Sequence, residues 1–166
     1  MIILLDALSN VPDETGLNYS TVQDKLVAAG LDEGDGGARL MTYHPRGPGR
    51  SSDYFHEAPW LDFNMIQTWS AYTSIHQRMT HDFRLTPVKP TGLGEGAYEN
   101  GPEYPTKPIT DHVIRKQAYW SYLSGGYHTY GNTSIWNFGI ESYYSKKAWK
   151  EALTDPGAIH VSVAAT

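Results

Sequence analysis

Short β-forming runs alternate with helix-forming stretches along this chain, and no two runs are joined by a tight hairpin turn. Antiparallel neighbours can be linked by two residues, whereas parallel neighbours need a crossover of a dozen or more, usually a helix. The pattern therefore predicts parallel strands with helical crossovers. Five such units fit either an open doubly wound sheet or a segment of a (β/α)8 barrel. No glycine-rich phosphate fingerprint follows the first strand, which weakens a nucleotide-binding reading.

Met1 to Leu5 is a short apolar run cut off by Asp6 and reads as a buried strand. Ser20 to Gln23 has the form of a capping box and opens a helix to about Ala29, stopped by Gly30. The second strand spans Ala38 to His44 and is ended by Pro45. The third spans Phe63 to Gln67. A helix follows from about Ser70 to Phe83, with Tyr72, Ile75, Met79 and Phe83 as its inner stripe. Leu85 to Thr91 is the expected fourth strand. Prolines on either side of Val88-Lys89 favour extended backbone there. Thr110 or Asp111 caps a helix to about Ser124, Gly125-Gly126 ends it, and Tyr127 to Tyr130 forms the fifth strand. A short helix from Lys146 to Leu153 precedes a tail, Ala158 to Thr166, that reads as a strand or a frayed end.

At 166 residues the chain has room for one domain with a core, covering 1–166. Its formal net charge of -5 and scattered lysines and arginines predict no nucleic-acid partner. With no cysteine there is no disulfide framework or thiolate site, and the redox compartment stays open. The apolar start, Ile2 to Leu5, is too short for a signal-peptide core or a membrane span, so neither is expected and localisation is unknown. The histidines show no His-x-x-x-His pair or ligand-spaced triplet, so no metal or other cofactor is expected.

Polar residues gather where the strands end: Asp6, His44 with Arg46, Gln67 with Trp69, Glu95, His128 and Tyr130. Barrel enzymes keep their sites at those ends. Glu95 lies between Gly94 and Gly96, with Tyr98, Glu99, Glu103 and Tyr104 close behind. Carboxylates beside aromatic rings suit sugar chemistry, where acids move protons or attack carbon and rings stack on a sugar face. The 5 Trp and 12 Tyr against 4 Phe point the same way, because rings with a polar handle favour half-wet surfaces. Trp69, Tyr98, Tyr130 and Trp136 are the candidate stacking rings. His44 and His128 can each orient Glu95 or a sugar hydroxyl, or serve as ordinary hydrogen-bonded histidines. Arg46 and Arg50 can meet acidic sugars or pair with Asp53. Glu99 and Glu103 read as solvated loop acids or as sugar hydrogen-bond partners.

Six blocks together resemble the apiosidase-like glycoside hydrolases: Gly34 to Gly37, Leu40 to Gly47, Ser51 to Asp53, Trp60 to Gln67, Pro87 to Thr91 with Gly94-Glu95, and His128 to Gly131 with Ser134 to Trp136. They run from about Asp32 to Gly157. The resemblance implies a TIM barrel that acts on plant cell-wall glycans by a retaining mechanism. In that clan the acid/base ends strand four and the nucleophile ends strand seven. Taking Glu95 as the strand-seven residue puts His128 on strand eight, Gln67 on six, His44 on five and Ile2 to Leu5 on four. Strands one to three are then absent from this chain. The family's strand-four Gly-Gly-Asp-Arg-like turn reads here Leu5 to Asn10, a departure in which Asp6 or Asp13, neither in the family's frame, would stand in for the acid/base. Asn64, Gln67, His44, Arg46, His128 and Tyr130 would line the cleft. The expected substrate is an oligo- or polysaccharide, with a second copy, a companion chain or a missing N-terminal half completing the barrel. The rival reading is a carbohydrate-binding or structural half-barrel without turnover.

Overall fold

The computed structural model describes the backbone of residues 3–6, and residues 39–101, 109–136, 138 and 147–164. The expected helix at 20–29, the turn at 34–37, and Asp13, Glu103 and Tyr104 lie outside them. The strands are β1 (Ile3–Asp6), β2 (Met41–His44), β3 (Gly49–Arg50), β4 (Asn64–Gln67), β5 (Thr91–Glu95) and β6 (Tyr127–His128). The helices are α1 (Ser52–Phe55), a 3-10 turn at Tyr72–Ser74 running into α2 (Ile75–Phe83), α3 (Asp111–Leu123), α4 (Thr133–Trp136), α5 (Trp149–Ala152) and α6 (Pro156–Ala164).

β1 and β2 pair in parallel, as do β4 with β5 and β5 with β6. The chain is therefore α/β with a parallel sheet, as the alternation predicts. The two-residue β3 departs from it, pairing antiparallel with β4 through Gly49↔Gln67 and Arg50↔Ile66. β2 is held beside the entry to β4 by three bonds. Asp62 N donates to Met41 O at 2.9 Å, Met41 N donates to Asp62 Oδ2 at 2.6 Å, and the Thr42 hydroxyl donates to Phe63 O at 2.6 Å.

Side chains alternate across the pleat, so each strand has a helix-facing and an opposite set. Met41 and Tyr43 of β2 bury against Phe55, Trp60 and Leu61. Ile66 of β4 and Leu93 of β5 bury against Ile75 and Met79 of α2. Ala97 packs with Ile109 and Ile114 of the α3 entry, where Val161 of α6 also docks. Helices thus cover one face, leaving Thr42, His44, Met65 and Gln67 on the other.

Several expected elements differ. The fourth strand is not Leu85 to Thr91 but Thr91–Glu95. Its prolines give extended backbone without donors for a ladder, while the glycines after it permit close approach. A Cβ on Gly92 would stand 2.2 Å from the Tyr127 ring, and one on Gly94 2.5 Å from Met65 Sδ. Phe83, expected on the inner stripe of α2, is 59% exposed. Asp82 takes the inward position instead, fully buried and accepting from the Ser52 hydroxyl at 2.7 Å. In its described residues, to Ala164, the tail is helix, α6, packed on α3.

Candidate active site

The parallel strands bring their C-terminal ends to one rim. β2 ends in His44, β4 in Gln67 and β5 in Glu95. His44 Nε2 lies 3.0 Å from Glu95 Oε2, and both side chains are about one-fifth exposed, His44 at 21% and Glu95 at 22%. A buried pair would be inaccessible to substrate and an exposed one loosely held. This pair is neither.

Strict alternation would not put Glu95 there. Leu93 faces α2, and the residue two along should follow it. The ladder slips instead: Ile66 pairs with Leu93, but Gln67 pairs with Glu95, leaving Gly94 as an unpaired extra residue. A β-bulge of this kind re-aims the next side chain. It moves Glu95 to the Gln67 face, where His44 waits.

The rest of the rim is assembled from loops. Arg46 is exposed two residues beyond β2. Gly47 lies against Gln67 and Trp69, with room for a Cβ only 3.1 Å from Gln67 Cγ and 3.3 Å from Trp69 Cβ. Trp69 holds a left-handed backbone angle, φ 46°, and the residue is 44% exposed. A non-glycine residue held in that region marks a conformation imposed by its surroundings, a feature that clusters at functional sites. Asp6 ends β1 as the register partner of His44.

Other expected site residues lie elsewhere. Asn64 begins β4 rather than ending it, three residues or about 10 Å from the rim. It is fully buried, with its Oδ1 3.3 Å from His56 Nδ1. His128 pairs with Leu93 and so takes the helix-facing side, where its ring meets Tyr122 edge-on at 6.4 Å between centroids. Burial holds its pKa down to about 4. Glu99, expected as a loop acid or sugar partner, is 3% exposed. Its carboxylate accepts from the Tyr130 hydroxyl at 2.6 Å and from Gly157 N at 3.1 Å. Tyr130 is therefore tied into a structural network too, and burial together with the Glu99 carboxylate raises its pKa. Asn132 Nδ2 extends the network to Tyr130 Oη at 2.9 Å and Asp155 Oδ2 at 2.8 Å, and Lys147 closes it on Asp155. Arg50 pairs with Asp53, as its salt-bridge alternative anticipates.

Tyr98 is half-buried against Gly131, where a Cβ would come within 2.5 Å of its ring. Trp136 is 66% exposed at the end of α4. Beyond it Phe138 meets Trp149 edge-on, with centroids 6.2 Å apart. The bulge that aims Glu95 and the structural network around Asp155 are features that residue reading missed. The glycines flanking Glu95 were the available signal for the bulge, since glycine inside a strand often marks one. Among the described residues no group of three histidines or carboxylates is placed to hold a metal, and no helix is long and apolar enough to cross a membrane.

A family model described as apiosidase-like, catalytic domain, matches residues 12–166. A solved structure titled glycoside hydrolase is similar at 32% identity and TM-score 0.76, covering 85% of this chain and 37% of its own. A glycoside hydrolase family 5 structure from Bacteroides vulgatus ATCC 8482 is similar at 30% identity and TM-score 0.70, covering 80% of this chain and 35% of its own. The chain spans little more than a third of the length of either. No curated protein matches it.

Proposed function

This chain belongs to the apiosidase-like catalytic-domain family, and from that premise we propose that it is the strand-four to strand-eight part of a (β/α)8 glycoside hydrolase acting on plant cell-wall glycans by retention. In that register β1, β2, β4, β5 and β6 are barrel strands four to eight. Glu95 is the nucleophile, and the observation that carries the reading is its 3.0 Å contact with His44 at the C-terminal ends of parallel strands.

A retaining glycosidase needs a carboxylate poised on the anomeric carbon and a second carboxyl group about 5–5.5 Å away to protonate the leaving oxygen. His44 Nε2, 3.0 Å from Glu95 Oε2, stands against that side of the carboxylate and leaves Oε1 to attack. Asp6, beside His44 in register, is the proposed acid/base. It gives its proton to the leaving oxygen and then takes one from the water that releases the glycosyl group. Arg46, Gln67 and Trp69 form the near wall of the cleft. Tyr98 and Trp136 are the further candidate rings for stacking on a sugar face. The remaining strands would come from residues N-terminal to this sequence, a second copy or a companion chain.

Glu95→Gln tests the reading, because it keeps the shape of the side chain and removes the nucleophile. Turnover of an aryl glycoside should fall by at least a thousandfold while sugar binding stays within a few-fold, since the loss is confined to the transition state. Undiminished turnover would remove Glu95 from the mechanism. The rival reading, a carbohydrate-binding remnant, draws on Glu99, Asp82 and Asp155 being committed to structural bonds. It predicts that the parent and Glu95→Gln bind alike and neither turns over.

A further inference from the structure

We propose that Thr129 is a positioning residue that locks the β5 bulge and so aims Glu95 at the cleft. The link to catalysis rests on the reading of Glu95 as nucleophile; the link to the bulge does not.

The bulge leaves a specific problem. Gly94 has no register partner on β4, and the ladder resumes one residue out of step at Gln67↔Glu95. A residue outside the ladder must place its carbonyl elsewhere or leave it to water. On the other side of β5, β6 ends at His128, and the next residue is Thr129. Thr129 N donates to Leu93 O at 3.0 Å. Its hydroxyl stands 3.0 Å from Leu93 O and 2.6 Å from Gly94 O. One hydroxyl proton serves one strong acceptor at a time, and Leu93 O already receives the amide. The hydroxyl therefore belongs to Gly94 O. One residue thus holds both carbonyls that flank the slip.

The consequence falls on the side chain that follows. With the Gly94 carbonyl tied to β6, the peptide between Gly94 and Glu95 cannot rotate back into regular pleating. In regular pleating Glu95 would share the Leu93 side, away from His44. Beyond the bulge, Thr68 N donates to Glu95 O at 2.8 Å, so that amide reports directly on whether the slipped register is kept. Thr129 itself is exposed, which separates this role from packing. Valine keeps its β-branched shape and removes only the hydroxyl; serine keeps the hydroxyl.

The test uses the full chain with Thr129→Val, Thr129→Ser and Glu95→Gln. Hydrogen exchange at the Thr68 amide and kinetics on an aryl glycoside are read side by side. In Thr129→Val, Thr68 should exchange about tenfold faster, kcat should fall by about tenfold to a hundredfold, and KM should stay within about twofold, the scale of loss a small misplacement of a reacting group produces. Thr129→Ser should restore both to within about twofold. Parent-like Thr68 exchange in Thr129→Val would overturn the claim that the hydroxyl holds the bulge. Parent-like kcat in Thr129→Val, beside an inactive Glu95→Gln, would overturn its role in aiming the nucleophile. Equal losses in the valine and serine variants would likewise overturn it. If Glu95→Gln were fully active, the nucleophile reading would fail, and Thr68 exchange would still decide the bulge.

Discussion

His128 illustrates how one residue of ladder register decides a role. It lies at a strand end, as His44 does, but its partner is Leu93 rather than a rim residue, so its ring enters the helix-facing side. Among the described residues neither ring nitrogen has a hydrogen-bond partner, and burial holds its pKa at about 4 against the ordinary 6.5. The unfolded chain therefore binds more protons between those two values, and stability falls as pH drops from 6.5 towards 4. At 1.36 kcal/mol per pKa unit the loss is about 3 kcal/mol. His128→Leu should remove that slope, so urea midpoints at pH 7 and pH 4.5 should converge relative to the parent; an unchanged slope would show the ring is already charged in the fold. Sequence reading could rank Glu95 and His44 because chemistry and strand-end position agree there. It could not separate His44 from His128, because face depends on pairing, and pairing is not local.

At the scale of elements, burial periodicity located β2, β4 and α3 to within a few residues, since their apolar positions repeat at the strand or helix period. It misplaced β5. Thr91-Gly-Leu-Gly-Glu95 has two glycines in five positions, poor strand formers by propensity. They are there because Tyr127 and Met65 occupy the space a Cβ would need. The tail failed for a related reason. α6 carries apolar residues on every side, so no helical stripe shows in its sequence, and only its partner α3 reveals it. What fixes its start is Glu99, whose Oε1 accepts from Gly157 N and whose Oε2 would lie 2.3 Å from a Cβ there. Gly157→Ala should push that carboxylate off both the amide and Tyr130. The cost should be about 1–3 kcal/mol, the usual range for an overpacked site, read as a lower urea midpoint with unchanged m. Because Tyr130 loses its acceptor in the same event, its phenol should titrate at lower pH by ultraviolet absorbance. A wild-type titration in Gly157→Ala would mean Glu99 does not govern it.

The whole molecule presents a different kind of problem, one of surface. Among the described residues β1 pairs only with β2, and β6 only with β5, so each has an edge without a ladder partner. Unpaired edges are pairing templates that stable folds cover. α6 adds an apolar surface. Val161 docks on the core, while Ile159 is 51% exposed and Val163 67% exposed. A helix that is apolar on all sides belongs in an interior, so the outer face of α6 should be covered when the protein is folded in solution. We expect the 166-residue chain, expressed alone, to cover it with a second copy. Light scattering at tens of micromolar should then give a mass well above the 18.5 kDa monomer. Ile159→Glu with Val163→Glu should return it to the monomer mass with its circular dichroism intact, because both side chains point out of the core they would otherwise disrupt. A monomeric parent would show that α6 does not self-associate.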